Sequence, residues 1–381
     1  MSRLGSVTKV GPRTRVAYPV LLALGAIDAA AYSLIAPVAP EIADRTAVGP
    51  AVIGLLVATF PLAMIAGFLV AARWVKRGST YLVLVASLAV VATGTLGFVV
   101  GEGLDVYFAA RVLMGFGSGG LWIGVTFSTL ERWPGQEYLC MSRVFSAYSL
   151  GGLVGPALGA LGGIRAPFLA YLALVGLALA VTLLLGEPVH RRSFSSDRSS
   201  LRVPGFWLAS AGVLFVYLGY GVVEGILPLH LATGLGQAAI GVTFIGMSVI
   251  VAATSALAGR YRPRVMLAVS LLLVVVGLGV VGVTDAVPLW LVALAITGAG
   301  FGFGLTASVG VLLQAVSSER IVTAMVIWSQ IGIVGYLIGP LAGGSIAESL
   351  GFGAVGLVPL AAGMVLATML ARGRTTVCSG A

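Results

Sequence analysis

Apolar residues in this chain come in long unbroken blocks divided by short polar punctuation. Twelve blocks stand out, over 16–38, 50–72, 81–100, 106–127, 141–161, 167–186, 204–228, 237–258, 265–283, 288–312, 323–345 and 352–371. Most are close to the ~20 residues that a helix needs to cross ~30 Å of hydrocarbon. They lack the ~10-residue alternating pattern of barrel strands. The pattern therefore predicts an all-α integral membrane protein with twelve transmembrane helices.

The punctuation carries the charge. With an even number of spans both termini lie on one side of the membrane. If that side is the cytoplasm, 19 of the 22 Lys and Arg fall in cytoplasmic tails and loops, leaving only Arg45, Arg111 and Arg165. Such an excess of basic loops on one side sets orientation. The longest polar stretch, "EPVHRRSFSSDRSSLRV" from Glu187 to Val203, separates six blocks from six. The expected organisation is a cytoplasmic tail over 1–15, a bundle over 16–186, a cytoplasmic linker over 187–203, a second bundle over 204–371 and a cytoplasmic tail over 372–381. The expected location is the cell (plasma) membrane.

Composition narrows the function. The chain is 59% hydrophobic and 9% charged, with mean hydropathy +1.08. Soluble domains carry about 25% charged residues. The net charge of +9 is spread over many short loops rather than one patch, so no nucleic-acid partner is expected. Cys140 and Cys378 are too few and too far apart for a disulfide framework. Two histidines, His190 in the linker and His230 in an outer loop, make no metal cluster. No nucleotide-binding loop appears. "GFGSGG" from Gly115 lies in an apolar span without the lysine of a phosphate loop, and reads as close helix packing. No catalytic set, metal or cofactor is expected, and the chain is not read as an enzyme.

The two halves resemble each other at an offset near 187 residues. "AVIGLLVATF" from Ala51 matches "AAIGVTFIGM" from Ala238, "ARWVKR" from Ala72 matches "GRYRPR" from Gly259, and "GFG" recurs at Gly115 and Gly302. "GGLVGPALGA" from Gly151 matches "GYLIGPLAGG" from Gly335. A parallel repeat of two six-helix halves is the arrangement of major facilitator transporters.

The motifs resemble that superfamily over nearly the whole chain, most of all its twelve-helix drug:proton antiporters. "LIAPVAPEI" resembles the paired-proline signature, here Pro37 and Pro40. "RVLMGFGSG" resembles the arginine motif, with Arg111 and Gly115 in place. "GGLVGPALGA" resembles the antiporter motif, with Gly151, Gly155, Pro156 and Gly159 matching, and its counterpart holds Gly335, Gly339 and Pro340. After the second span, "GFLVAARWVKRGS" keeps Gly67, Arg73, Lys76 and Arg77 but has alanine where the family's acidic gate residue belongs. The resemblance implies two pseudo-symmetric six-helix bundles and alternating access. It also implies that spans five and eleven meet spans eight and two at the bundle interface, where the glycine stripes and prolines would make a bend and a sliding contact.

Three ionisable residues fall inside apolar spans: Asp28, Arg111 and Glu224. Each costs a few kcal/mol to insert and so needs a reason: a functional role, or, for Arg111, snorkelling to the outer headgroups and, for Asp28, a local cap or pair. Asp28 lies about 12 residues into span one, roughly 18 Å deep, and Arg111 about 5 residues into span four, roughly 8 Å from the opposite face. The two are at similar depth. Asp28 is read as the proton or cation site, with Arg111 tuning it. Glu224, near the outer end of span seven, is either an interfacial anchor or part of a cavity face with Tyr217 and Tyr220. Tyr32 follows Asp28 by one turn, and Ser118 and Trp122 follow Arg111 on one helix face. Trp328 and Gln330 are further candidates for contact with a flat apolar cation.

The expected activity is proton-coupled export of a small lipophilic compound or drug, cationic or neutral, by a monomer embedded in the lipid bilayer. Alternatives are an exporter or symporter of a small metabolite such as a sugar or amino acid, and a non-transporting membrane receptor or scaffold.

Overall fold

The computed structural model describes residues 12–77, 80–133, 137–186, 203–284, 286–317 and 320–375. The linker expected over 187–203 lies outside these residues except for Val203, as do most of the two expected tails. Apolar blocks in hydrocarbon must satisfy their own backbone groups, which a helix does internally. Every block is accordingly helical. The first half contains α1 (Pro12–Ser33), α2 (Ile35–Thr46), α3 (Pro50–Arg77), α4 (Thr80–Val100), α5 (Leu104–Arg132), α6 (Glu137–Gly159) and α7 (Arg165–Leu185). The second contains α8 (Pro204–Gly225), α9 (Leu227–Leu231), α10 (Gln237–Ala258), α11 (Pro263–Val283), α12 (Val287–Ala315), α13 (Ile321–Leu350) and α14 (Leu357–Thr375). Helices α1 and α2 together make the first span, and α8 and α9 the seventh. Among the described residues eleven spans are long and apolar enough to cross a membrane, and α6 supplies the twelfth block.

Both first spans break for the same reason. Proline lacks an N–H and clashes with the carbonyl four residues earlier. Pro37 therefore deprives the Ser33 carbonyl of its helical partner, and the helix is interrupted at Leu34. Pro228 does the same to the Glu224 carbonyl, and α8 ends at Gly225. The chain does not leave the helix at residue 38 as expected. It resumes through α2 to Thr46, steadied by an Arg45–Glu41 pair at 2.7 Å, and stops at Ala47 in the left-handed conformation. His230, expected in a loop, lies on α9 with its ring 4.8 Å from that of Trp290.

Each half has its own core. One is built around Leu24, Phe60, Leu88, Met114 and Phe168, the other around Phe206, Phe215, Phe244, Trp290 and Phe301. The helix pairings repeat: α1 packs on α6 as α8 does on α13, α3 on α5 as α10 on α12, and α4 on α5 as α11 on α12. Large apolar side chains such as Leu62, Leu82, Leu177, Leu184 and Leu272 remain exposed on outward faces. A soluble monomer rarely leaves so much apolar surface bare, whereas lipid covers it.

Glycine sets the closest approaches. A Cβ on Gly115 would collide with the Phe60 carbonyl, and one on Gly67 with the Phe116 carbonyl, so α3 and α5 meet backbone to backbone. In the other half, Gly302 approaches Thr254 and Val251 on α10 in the same way. The reading of "GFGSGG" as a packing surface agrees with this geometry.

Candidate functional site

The end of the molecule where α1 begins and α14 finishes is here termed the near end. On α1 and α5 the helical spacing of the sequence brings the expected polar residues together. Ser118 Oγ donates to Asp28 Oδ1 at 2.5 Å, and the Asp28 side chain is buried. Its second oxygen has no hydrogen-bond partner. Tyr171 of α7 donates its hydroxyl to the Ile27 carbonyl at 2.9 Å, which fixes α1 beside this site.

Arg111 is completely buried. One terminal nitrogen donates to the Ala31 carbonyl at 3.2 Å, whereas Nε and Nη2 have no hydrogen-bond partner. Its guanidinium carbon sits 4.5 Å from the Phe60 ring centre and 5.8 Å from that of Tyr32. A cation over an aromatic face gains electrostatic stabilisation when desolvated. Asp28 and Arg111 share α1–α5 packing but form no ion pair in this state; among the described residues the ion pairs are Glu41–Arg45 and Glu102–Arg165.

The second bundle answers with Glu224, at the break between α8 and α9. It is 4% exposed, so it does not anchor the chain at the interface; it faces inward, with Oε2 lacking a hydrogen-bond partner.

A cavity separates the bundles. The first half contributes Tyr32, Phe60, Pro61, Met64, Trp122 and Tyr148, and the second Tyr217, Trp328, Ser329, Ile333 and Tyr336. The rings form two contacting sets: Tyr32 to Tyr336 at 4.3 Å with Tyr336 to Tyr217 at 4.6 Å, and Trp122 to Tyr148 at 5.2 Å between centres. Of the residues considered for substrate contact, Tyr32, Trp122, Tyr217 and Trp328 line this cavity. Asp28, Arg111, Ser118 and Glu224 lie outside the lining set, with Tyr32 joining the cavity to Arg111. Tyr220 instead stacks on Phe301 at 4.1 Å, and Gln330 also lies outside the lining, its amide nitrogen buried without a partner. Phe60, Tyr148, Ile333 and Tyr336 escaped the sequence analysis. Tyr336 had one available signal, its place beside Gly335 on the repeated motif.

The bundles are joined beyond the cavity, toward the far end. Gly54 meets the Pro340 carbonyl, Gly344 meets the Pro50 carbonyl, and Gly241 meets Pro156 and Ala160. Spans two and eleven, and five and eight, do meet as expected. The glycine stripes themselves face elsewhere: Gly151 and Gly155 pack on α1, Gly159 on Pro37 of α2, and Gly335 and Gly339 on α8. This corrects the expected placement, and the reason is rotational. Glycines spaced by four occupy one helix face, and that face meets the first span of the same bundle, leaving Gly152, Pro156 and Ala160 for the partner bundle. Arg73 is exposed, and the side chains of Lys76 and Arg77 lie outside the described residues.

A wholly helical membrane protein with two repeated bundles and a cavity between them has the build of an alternating-access transporter. The Major Facilitator Superfamily model matches residues 21–253 and 209–377, and the chain belongs to that family. Its fold is similar to that of a bacterial homologue of the human lysosomal transporter Spinster. The inward-facing unoccupied form of that protein superposes with a TM-score of 0.75 at 16% identity, covering 96% of this chain and 93% of the other. The occupied form gives 0.74 at 15% identity, with 94% and 92% covered. The human organic anion transporter MFSD10 (TETRAN) gives 0.65 at 18% identity, with 94% and 100% covered. No curated relative matches the sequence.

Proposed function

We propose that this membrane transporter exports a small lipophilic compound, cationic or neutral, in exchange for protons. The observation that carries the reading is Asp28. A buried carboxyl with one oxygen held by Ser118 and the other without a partner, beside an aromatic cavity shared by both bundles, can take up and release a proton as that cavity changes access. Arg111 is held through the Ala31 carbonyl, and Glu224 supplies a second buried acid in the other half, so this reading assigns the exchanged proton to Asp28 with Glu224 as a second acceptor. Rings supply most of the wall, which suits an apolar, flat body.

In this reading both termini are cytoplasmic, and contact beyond the cavity closes it to the outside. The test is flux into everted vesicles over a panel of dyes, with and without a pH gradient. Gradient-driven accumulation of cationic or neutral dyes supports the reading, and gradient-independent equilibration defeats proton coupling. Arg111 favours a second reading, because two of its buried nitrogens lack protein partners. Under that reading anionic dyes accumulate in preference to cationic ones.

A further inference from the structure

We propose that Gln237 and Glu348 are interbundle latches that hold the far end shut, each by capping a helix of the opposite bundle. The proposal rests on the alternating-access reading and assigns residues that set its equilibrium.

Gln237 is the first residue of α10. Its amide nitrogen donates to the Gly159 and Gly163 carbonyls, both at 2.9 Å, and its oxygen accepts from the Gly163 N–H at 2.8 Å. Gly159 ends α6, where terminal carbonyls have no partner within the helix. The turn that brings Gly163 back to the same amide runs through Gly162 and Gly163 at φ +90° and +64°, a backbone that side chains rarely tolerate. One side chain thus closes the end of α6 with three bonds.

Glu348 lies in the last turn of α13. Its Oε2 accepts from the Ala51 N–H at 2.9 Å. Ala51 is the second residue of α3, so this N–H is one of the orphan donors at the start of that helix. A carboxylate there also complements the positive end of the helix dipole. Gly49 leaves room for it: a Cβ on Gly49 would come within 2.8 Å of Oε2.

The two contacts occupy matching places, one on the α6–α10 interface and one on the α3–α13 interface. In both, the second half supplies the side chain and the first half the helix end. Neither cap survives a separation of the far ends, and its bonds are then exchanged for bonds to water. The amide and the carboxylate therefore favour the far-closed state without blocking the opening.

The experiment measures distances between spin labels on the full chain in nanodiscs, with Cys140 and Cys378 replaced by serine. Labels at the exposed Leu161 and Leu350 report the far end, and labels at Arg143 and Gln314 report the near end. Gln237→Ala and Glu348→Ala should each raise the far-open fraction about fivefold, the ratio expected for one ~1 kcal/mol cap, and together about 25-fold. Glu348→Gln keeps an acceptor oxygen and should stay within about twofold of the parent. If pH or dye interconverts two populations while the double variant leaves their ratio unchanged, the latches are overturned and alternating access stands. If no condition produces a second population, the alternating-access reading fails and the latches fall with it.

Discussion

The two halves of this protein agree in packing and disagree in chemistry. Gly115 and Gly302 sit at equivalent places and do equivalent work, letting α5 press on α3 and α12 on α10. Arg111 matches Gly298 in the repeat, and where one is a buried cation the other only makes room for Met247. The first half holds Asp28, Ser118 and Arg111 in fixed geometry, while the second offers Glu224 and a tyrosine wall. Duplication thus explains the scaffold. The Asp28–Ser118–Arg111 set belongs to the first half alone, and a helix in this position has no structural need for an arginine.

Breaking the shared part should cost most. Gly115→Val and Gly302→Val each drive a branched side chain into the partner helix, at the Phe60 carbonyl or at Thr254 and Val251. Overpacking of this kind costs ~1–3 kcal/mol or more. Both variants should lose the monodisperse peak in detergent chromatography, and if only one does, the equivalence of the two contacts is wrong.

The unshared part should separate folding from activity. Asp28→Asn should fold and lose about 100-fold of proton-driven accumulation, because an amide cannot carry the exchangeable proton. Ser118→Ala should lose about tenfold, the scale of a hydrogen bond to a charged group. Vesicle flux at equal protein load checks both, and a Ser118→Ala rate equal to the parent would detach Ser118 from the site.

The cavity wall should be the most forgiving. Tyr336→Ala removes ring contacts with Tyr32 and Tyr217 and should weaken dye binding about fivefold. Tyr336→Phe should stay within about twofold, since it keeps the ring. Fluorescence titration distinguishes them, and a larger loss for phenylalanine would move the role from the ring to the hydroxyl.

Much of this was legible in the order of residues. Apolar block length gave the twelve spans, and the repeat gave the paired packing. The polar residues of α1 and α5 were legible because charge in an apolar block is costly and rare. The cavity wall was less so. Phe60, Tyr148 and Tyr336 are ordinary apolar-block residues, and whether each faces lipid, core or cavity depends on helix rotation. The same ambiguity placed the Gly151–Gly155–Gly159 stripe on the wrong neighbour. The first span proved longer because Pro37 interrupts the ladder without ending the helix.

The central claim is that Asp28 couples protons to export. Everted vesicles containing the parent or Asp28→Asn, loaded with the same dye and given an inward-acid pH gradient, test it most directly. The account predicts accumulation above equilibrium by the parent, and by Asp28→Asn only exchange down the dye gradient. Accumulation by Asp28→Asn at the parental level, collapsed by the same protonophore, would contradict it.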